Sequence, residues 1–296
     1  MALITQIISI MFPIVAIVAV GAVLGRTSKL EMRTANHLNL DVFVPALVFS
    51  SLSDKTFSLA PHISLALAGL AIVLLAGVIA FLISKLTHYP LRTIAPPMMF
   101  HNAGNVGLPI MSLAFGKPGL VTGLVLFLVG NLLHYGLGTY ILSAGQGIKV
   151  LLRQTVIWAA IVALAINVSP IVIPESAMLP ITMLGQIAIP LMLFSLGVRI
   201  ASIDLQEWKI GLLFAVLTPT VGFCIAFALV MLFDFTAIQA GSLLLFGTLP
   251  PAVMNFLFAE RFNQQPKSVA SIVLLGNLFA MITLPIALAY VLTNYS

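Results

Sequence analysis

Charge is what this 296-residue sequence has least of: only 7% of its side chains are Asp, Glu, Lys or Arg, against about a quarter in an ordinary globular domain. With 61% hydrophobic residues and a mean hydropathy of +1.17, that scarcity excludes a water-facing enzyme and a disordered chain. Nucleic acid is excluded as a partner as well. Thirteen Lys and Arg against eight Asp and Glu leave +5 and a pI of 9.6, but the basic residues are scattered and form no patch. Cysteine is almost missing: Cys224 stands alone in an apolar run, so there is no internal disulfide and no Cys-based zinc or haem site. Clustered carboxylates that would hold Mg²⁺ are absent, as are HExxH and GxSxG patterns, which argues against a membrane-embedded enzyme and against any metal or other cofactor. Long polar linkers are lacking too.

What remains is apolar sequence with short punctuation. A helix needs about 20 apolar residues to cross a bilayer, so the chain holds roughly ten crossings. The expected spans are 3–25, 34–53, 62–86, 93–115, 119–143, 150–168, 178–200, 208–231, 236–259 and 268–292. Met1 to Gly25 has no basic leader and no small-residue cleavage site, and reads as a retained first span. The fold class is therefore all-α and polytopic, with the lipid bilayer as its solvent.

Sorting the basic residues by connection orients the chain. Arg26, Lys29, Arg33, Lys85, Arg92, Lys149, Arg153, Arg199, Lys209, Arg261 and Lys267 all fall on one side, and only Lys55 and Lys117 on the other. By the positive-inside rule the basic side is cytoplasmic and both termini face outward.

The second half echoes the first. Val44-Pro45-Ala46-Leu47-Val48-Phe49-Ser50 in span two resembles Ile189-Pro190-Leu191-Met192-Leu193-Phe194-Ser195 in span seven. Pro96-Pro97-Met98-Met99 in span four recurs as Pro250-Pro251-Ala252-Val253 in span nine, and Val129-Gly130-Asn131-Leu132 as Leu275-Gly276-Asn277-Leu278 in span ten. Each repeat, 1–145 and 149–296, holds five spans, an odd number, so the second enters the membrane inverted. Inverted repeats are a secondary-transporter architecture, with the substrate near midplane where the repeats meet.

Two spans are interrupted at their middles. Span four carries His101-Asn102-Ala103-Gly104-Asn105-Val106-Gly107-Leu108-Pro109, and span nine carries Gly247-Thr248-Leu249-Pro250-Pro251 followed by Asn255. Gly and Pro make poor continuous helix, and such backbone survives in a membrane only where protein or a wet cavity satisfies it. Half-helix N-termini attract anions, and carboxamides hydrogen-bond without carrying charge. The pattern points to a site for a small organic anion, with Asn102, Gly104, Asn105, Pro109, Pro250, Pro251, Asn255, Asn131 and Asn277 as its candidate residues.

The string Asn102-Ala103-Gly104-Asn105-Val106-Gly107-Leu108-Pro109 resembles the Asn-x-Gly-Asn-x-Gly-Leu-Pro motif of bacterial members of the auxin efflux carrier family, which include malonate-type transporters. Leu38 to Leu52, Ser195-Leu196-Gly197, Pro250-Pro251 and Thr283-Leu284-Pro285 are similar to the same family, so the likeness covers essentially the whole chain. The resemblance implies a fold like that of bile-acid symporters and sodium/proton antiporters. Spans four and nine would cross there, and substrate would bind beside the crossing. Spans one, two, six and seven would form a scaffold, often dimeric, against which spans three to five and eight to ten move as an elevator. Bacterial members sit in the inner membrane. The long hydrophilic central loop of many plant members is absent, since only Ser143 to Lys149 stand there.

Coupling is open between H⁺, Na⁺ and neither. Asp41 is the acid deepest within a span and reads either as a coupling site or as a hydrated interfacial carboxylate near Arg33 and His37. His134 lies three residues from Asn131 on one helix face and reads either as a ligand or as a packed residue. Ser50 and Ser195 line the scaffold or bond back to their own helices. Glu260 and Arg261 are expected to form an interfacial pair. A sodium-coupled carrier, or a channel or sensor on the same fold, are the alternative functions.

Overall fold

A computed structural model describes residues 2–28, 30–143, 151–201 and 207–295. Away from water a single segment satisfies its own backbone only as a helix, and these apolar runs are helical throughout. The first half comprises α1 (Ala2–Thr27), α2 (Arg33–Leu38), α3 (Val44–Leu52), α4 (Ile63–Leu86), α5 (Leu91–Met99), α6 (Leu108–Leu133) and α7 (Thr139–Ser143). The second comprises α8 (Thr155–Val168), α9 (Glu175–Ile200), α10 (Trp208–Leu232), α11 (Ala237–Thr248), α12 (Met254–Arg261) and α13 (Pro266–Asn294). Wide π-helical turns at Asn39–Phe43, Ala103–Gly107 and His134–Gly138 join α2 to α3, lead into α6, and join α6 to α7.

Among the described residues six helical stretches are long and apolar enough to cross a bilayer, and the protein is a multi-pass membrane protein. The expected spans do not map onto helices one to one. Span two is α2 and α3 in series, span six shortens to the 14 residues of α8, and span nine divides into α11 and α12. Spans four and five share the helical stretch Ala103–Leu142, 40 residues long, which is not one rod. Gly116 breaks it with φ 64° and ψ −147°, a conformation that costs glycine least. In a straight helix Leu108 and Gly123 would stand about 22 Å apart. Instead Gly123 packs against Leu108 and Met111, so the chain folds back on itself at Gly116. Lys29 and Lys149, both part of the basic-side tally, and the repeat boundary at 145–149 lie outside the described residues.

Helix packing falls into two groups. In one, α1 lies along α9 and α3 sits against both α8 and α9. Gly21 rests on the backbone of Phe194 and Gly197 on that of Val18, the small-residue contact that lets helices touch where lipid supplies no hydrophobic drive. In the other, α4 packs on α5 and α6, while α10, α11 and α13 pack on one another. The groups meet where α1 packs on α6 and α13 and where α9 passes the Ala103–Gly107 turn, and the second meeting positions the site.

Candidate functional site

The two interruptions meet each other. α5 stops at Met99 and α11 at Thr248, and the extended residues beyond them pair antiparallel through His101 and Pro251. The Asn102 amide donates to the Pro250 carbonyl at 2.7 Å, and the Ala252 amide donates to the Phe100 carbonyl at 2.8 Å. Proline has no amide hydrogen, so Pro250 and Pro251 leave only carbonyls to be satisfied inside the membrane.

Three buried asparagines complete that accounting. Asn277 Nδ2 donates to the Pro251 carbonyl at 3.0 Å and to the Val273 carbonyl at 2.8 Å, while its Oδ1 accepts from Asn102 Nδ2 at 2.8 Å. Asn255 Nδ2 donates to the Phe100 carbonyl at 3.0 Å. Asn255 ties the two interrupted segments to each other, and Asn277 ties both of them to α13.

Beside this junction lies a cavity of about 180 Å³, smaller than the roughly 300 Å³ lower bound of drug-sized pockets. Of the residues expected from sequence it gathers Asn102, Gly104, Asn105, Asn131, His134 and Ser195. Pro109, Pro250, Pro251, Asn255 and Asn277 are not on its wall; the last four build the junction behind it. Two helix N-termini open onto the cavity, one at Ala103–Gly107 running into α6 and the other at Val253–Met254 starting α12. The amides of Gly104, Asn105, Val253 and Met254 find no carbonyl acceptor among the described residues, as expected for first-turn amides. Several buried polar atoms on the wall are also unpartnered: Asn39 Oδ1, Ser195 Oγ, His134 Nε2 and both ring nitrogens of His101.

The polar wall residues Asn36, Asn39, His101, Tyr135 and Arg199 were not among the sequence candidates. Arg199 had a signal, since it stands four residues after Ser195 and therefore on the same helix face. His101 opens the polar string of span four, but its neighbours carried the motif. Asp41 is exposed and off the wall, though its charge reaches Tyr135 on the wall. His134 stacks on Phe100 with ring centroids 4.3 Å apart and planes within 10°, and lies beside Asn255. Ser50 bonds back to the Leu47 carbonyl at 3.2 Å. Glu260 acts electrostatically on Arg199, while Arg261 lies over the Phe262 ring; no ion pair joins Glu260 to Arg261 among the described residues.

At the opposite end of the molecule a second cavity of about 350 Å³ lies under the α3–α4 loop. That loop is tied to α8. Lys55 Nζ donates to the carbonyls of Ile166, Asn167 and Ser169 at 2.6, 3.0 and 2.6 Å, and Asn167 Nδ2 donates to the Asp54 carbonyl at 2.6 Å. It also touches the other helix group, through the Asp54–Lys117 ion pair at 2.7 Å and a bond from Gln239 Nε2 to the Pro61 carbonyl at 2.8 Å. The Lys117 ammonium, seconded by the Thr56 amide, holds the Asp54 carboxyl down at about 2.

Comparison with known proteins identifies relatives among membrane transporters. An uncharacterized transporter of Methanocaldococcus jannaschii is 21% identical over 297 aligned positions, covering 92% of this chain and 96% of that protein. A model of the family described as membrane transport protein matches residues 6–151 and 140–288, nearly the whole sequence. The chain belongs to that family of membrane transporters, the auxin efflux carrier family.

Proposed function

We propose that the protein is a carrier of small organic anions, and that the anion binds in the cavity beside the paired interruptions. The observation that carries this reading is convergence. Two helix N-termini, the Arg199 side chain and a set of buried, unpartnered polar atoms share one small cavity. Positive helix ends and a guanidinium select negative charge, and an arginine fork suits a carboxylate. The modest volume limits the solute to a few heavy atoms.

In this reading the chain crosses the membrane ten times as two inverted five-helix repeats, with α5–α6 and α11–α12 as crossing broken helices. The group of α1, α2, α3, α8 and α9 is the scaffold, through which two copies dimerise. The remaining helices carry the anion past it as an elevator. The cavity wall includes the Asn36 and Arg199 ends of α2 and α9, next to connections rich in Arg and Lys. With both termini outside a bacterial inner membrane, the cavity belongs to the cytoplasmic half.

Purified protein in liposomes should take up labelled malonate, with saturation, and Arg199→Gln should reduce that uptake at least ten-fold without altering the elution profile of the protein. Uptake by Arg199→Gln at the rate of the unaltered protein would remove the cavity from the pathway. Conductance without saturation would replace the carrier by a channel.

A further inference from the structure

His101 stands at the centre of the junction, in the extended segment that pairs with Pro251, and it lines the cavity. Its side chain is 7% exposed, and its edge meets the Phe246 ring at 5.3 Å and 80°. Among the described residues neither Nδ1 nor Nε2 has a hydrogen-bond partner. A buried imidazole needs a partner for its ring nitrogens, and on a cavity wall a bound solute can supply one. A neutral imidazole offers one donor and one acceptor; a protonated one offers two donors.

The surrounding charges decide when the second proton is welcome. α9 brings Arg199 to the wall, and the turn after α6 brings His134 and Tyr135. The turn after α2, together with α11 and α12, brings uncharged groups to His101 or the cavity wall, namely Asn39, Phe246 and Met254. Glu260 lies one turn beyond Leu257 on α12 and acts on Arg199; Asp41 acts on Tyr135. Arg199 and two positive helix ends therefore share the cavity wall with His101, and a further positive charge there is disfavoured. A bound carboxylate reverses the sign of that field.

We propose that His101 is a proton site filled together with the anion, so that one proton crosses the membrane with each anion carried. The inference rests on the anion-carrier reading above. Water on the entry side gives a proton to the free ring nitrogen, the other N–H donates to the bound carboxylate, and both proton and anion leave on the far side. Binding is reciprocal: the anion promotes protonation and the proton tightens the anion. The site needs no carboxylate of the protein, which fits the exposed position of Asp41.

The test uses proteoliposomes with a pH-sensitive dye inside and labelled malonate outside, with protein-free liposomes to subtract permeation of the free acid. The unaltered protein should acidify the lumen by about one proton per malonate, and an inward-directed proton gradient should drive malonate above equilibrium. His101→Gln, which keeps a donor and an acceptor but cannot take the charge, should carry less than a tenth of that proton flux per malonate. His134→Gln should keep the proton-to-malonate ratio whatever its rate. Malonate uptake without proton movement by the unaltered protein overturns the coupling and leaves the carrier standing. One proton per malonate in His101→Gln, or a ratio lost only in His134→Gln, overturns the assignment to His101. Absence of uptake for malonate and other small carboxylates by the unaltered protein overturns the carrier reading, and the proton site with it.

Discussion

The two interruptions do the same task with opposite chemistry. The first, Phe100 to Gly107, is built from Asn, Gly and His and, among the described residues, leaves the amides of Gly104 and Asn105 and the side chains of His101 and Asn105 without partners. The second, Leu249 to Val253, is built around Pro250 and Pro251, which have discarded their amides altogether. Breaking a helix inside a membrane frees donors and acceptors, and each unsatisfied one is expensive there. The proline version reduces the problem, since each proline leaves only a carbonyl, and the Asn102 amide satisfies that of Pro250 while the Asn277 carboxamide satisfies that of Pro251. The glycine version leaves polar groups over, and those face the cavity. One interruption is mainly clamped; the other is mainly on offer.

That contrast divides the asparagines into those that hold and those that face, and substitutions separate the two. The largest effect on stability is expected at Asn277. Asn277→Ala strips the donor from the Pro251 carbonyl and the acceptor from Asn102 Nδ2, both buried. At roughly 1–3 kcal/mol for each orphaned group, the protein should lose about 2–6 kcal/mol. A fall in thermal unfolding temperature in detergent measures it, and an unchanged temperature would mean that the junction is held by something else. Asn255→Ala should cost less, about 1 kcal/mol, because the Phe100 carbonyl still accepts from the Ala252 amide.

How much of this was readable beforehand follows the same division. The interruptions announced themselves, since Gly, Pro and Asn contradict a membrane helix locally, whatever the tertiary structure does. The pairing of Asn131 with Asn277 by the repeat also pointed to one neighbourhood. What sequence could not separate was role. Asn277 and Asn131 look alike in the repeat, but one is consumed by the Pro251 carbonyl and the other reaches the cavity wall. Which carboxamide is spent depends on contacts between separate segments, 26 residues apart for Asn277 with Pro251 and 175 apart for Asn277 with Asn102, and no local pattern encodes them. Arg199 was hidden for a different reason: counting it as a loop charge for orientation concealed the helix face it shares with Ser195. The fold-back at Gly116 was legible only as a boundary between spans four and five.

A comparison between the two ends of the molecule gives a smaller prediction. The Asp54–Lys117 pair joins the two helix groups at the end away from the main cavity, with side chains 30% and 66% exposed. Because the Asp54 carboxyl is lowered in the folded protein from 3.8 to about 2, its contribution is complete above the ordinary value and is lost as pH falls through about 2. Lys117→Met should therefore narrow the difference in melting temperature between pH 7 and pH 2.5. At pH 7 an exposed pair is worth no more than about 1 kcal/mol. A larger loss would mean that the pair is a principal contact between the groups.

The smallest effect on stability should fall on Asn105, and it is the most discriminating. Asn105 lines the cavity, is only partly buried, and makes no side-chain hydrogen bond among the described residues. Asn105→Ala therefore removes nothing the fold uses, and stability should stay within about 0.5 kcal/mol. Malonate uptake should nevertheless fall at least ten-fold, because one hydrogen bond to a charged ligand is worth about 1.5–3 kcal/mol. The size of that loss should appear mainly in the half-saturating concentration if Asn105 only holds the anion, and in the maximal rate if it also steers the moving group. If Asn105→Ala instead unfolds the protein, its carboxamide belongs with those of Asn255 and Asn277, and the division between holding and facing asparagines fails at its clearest member.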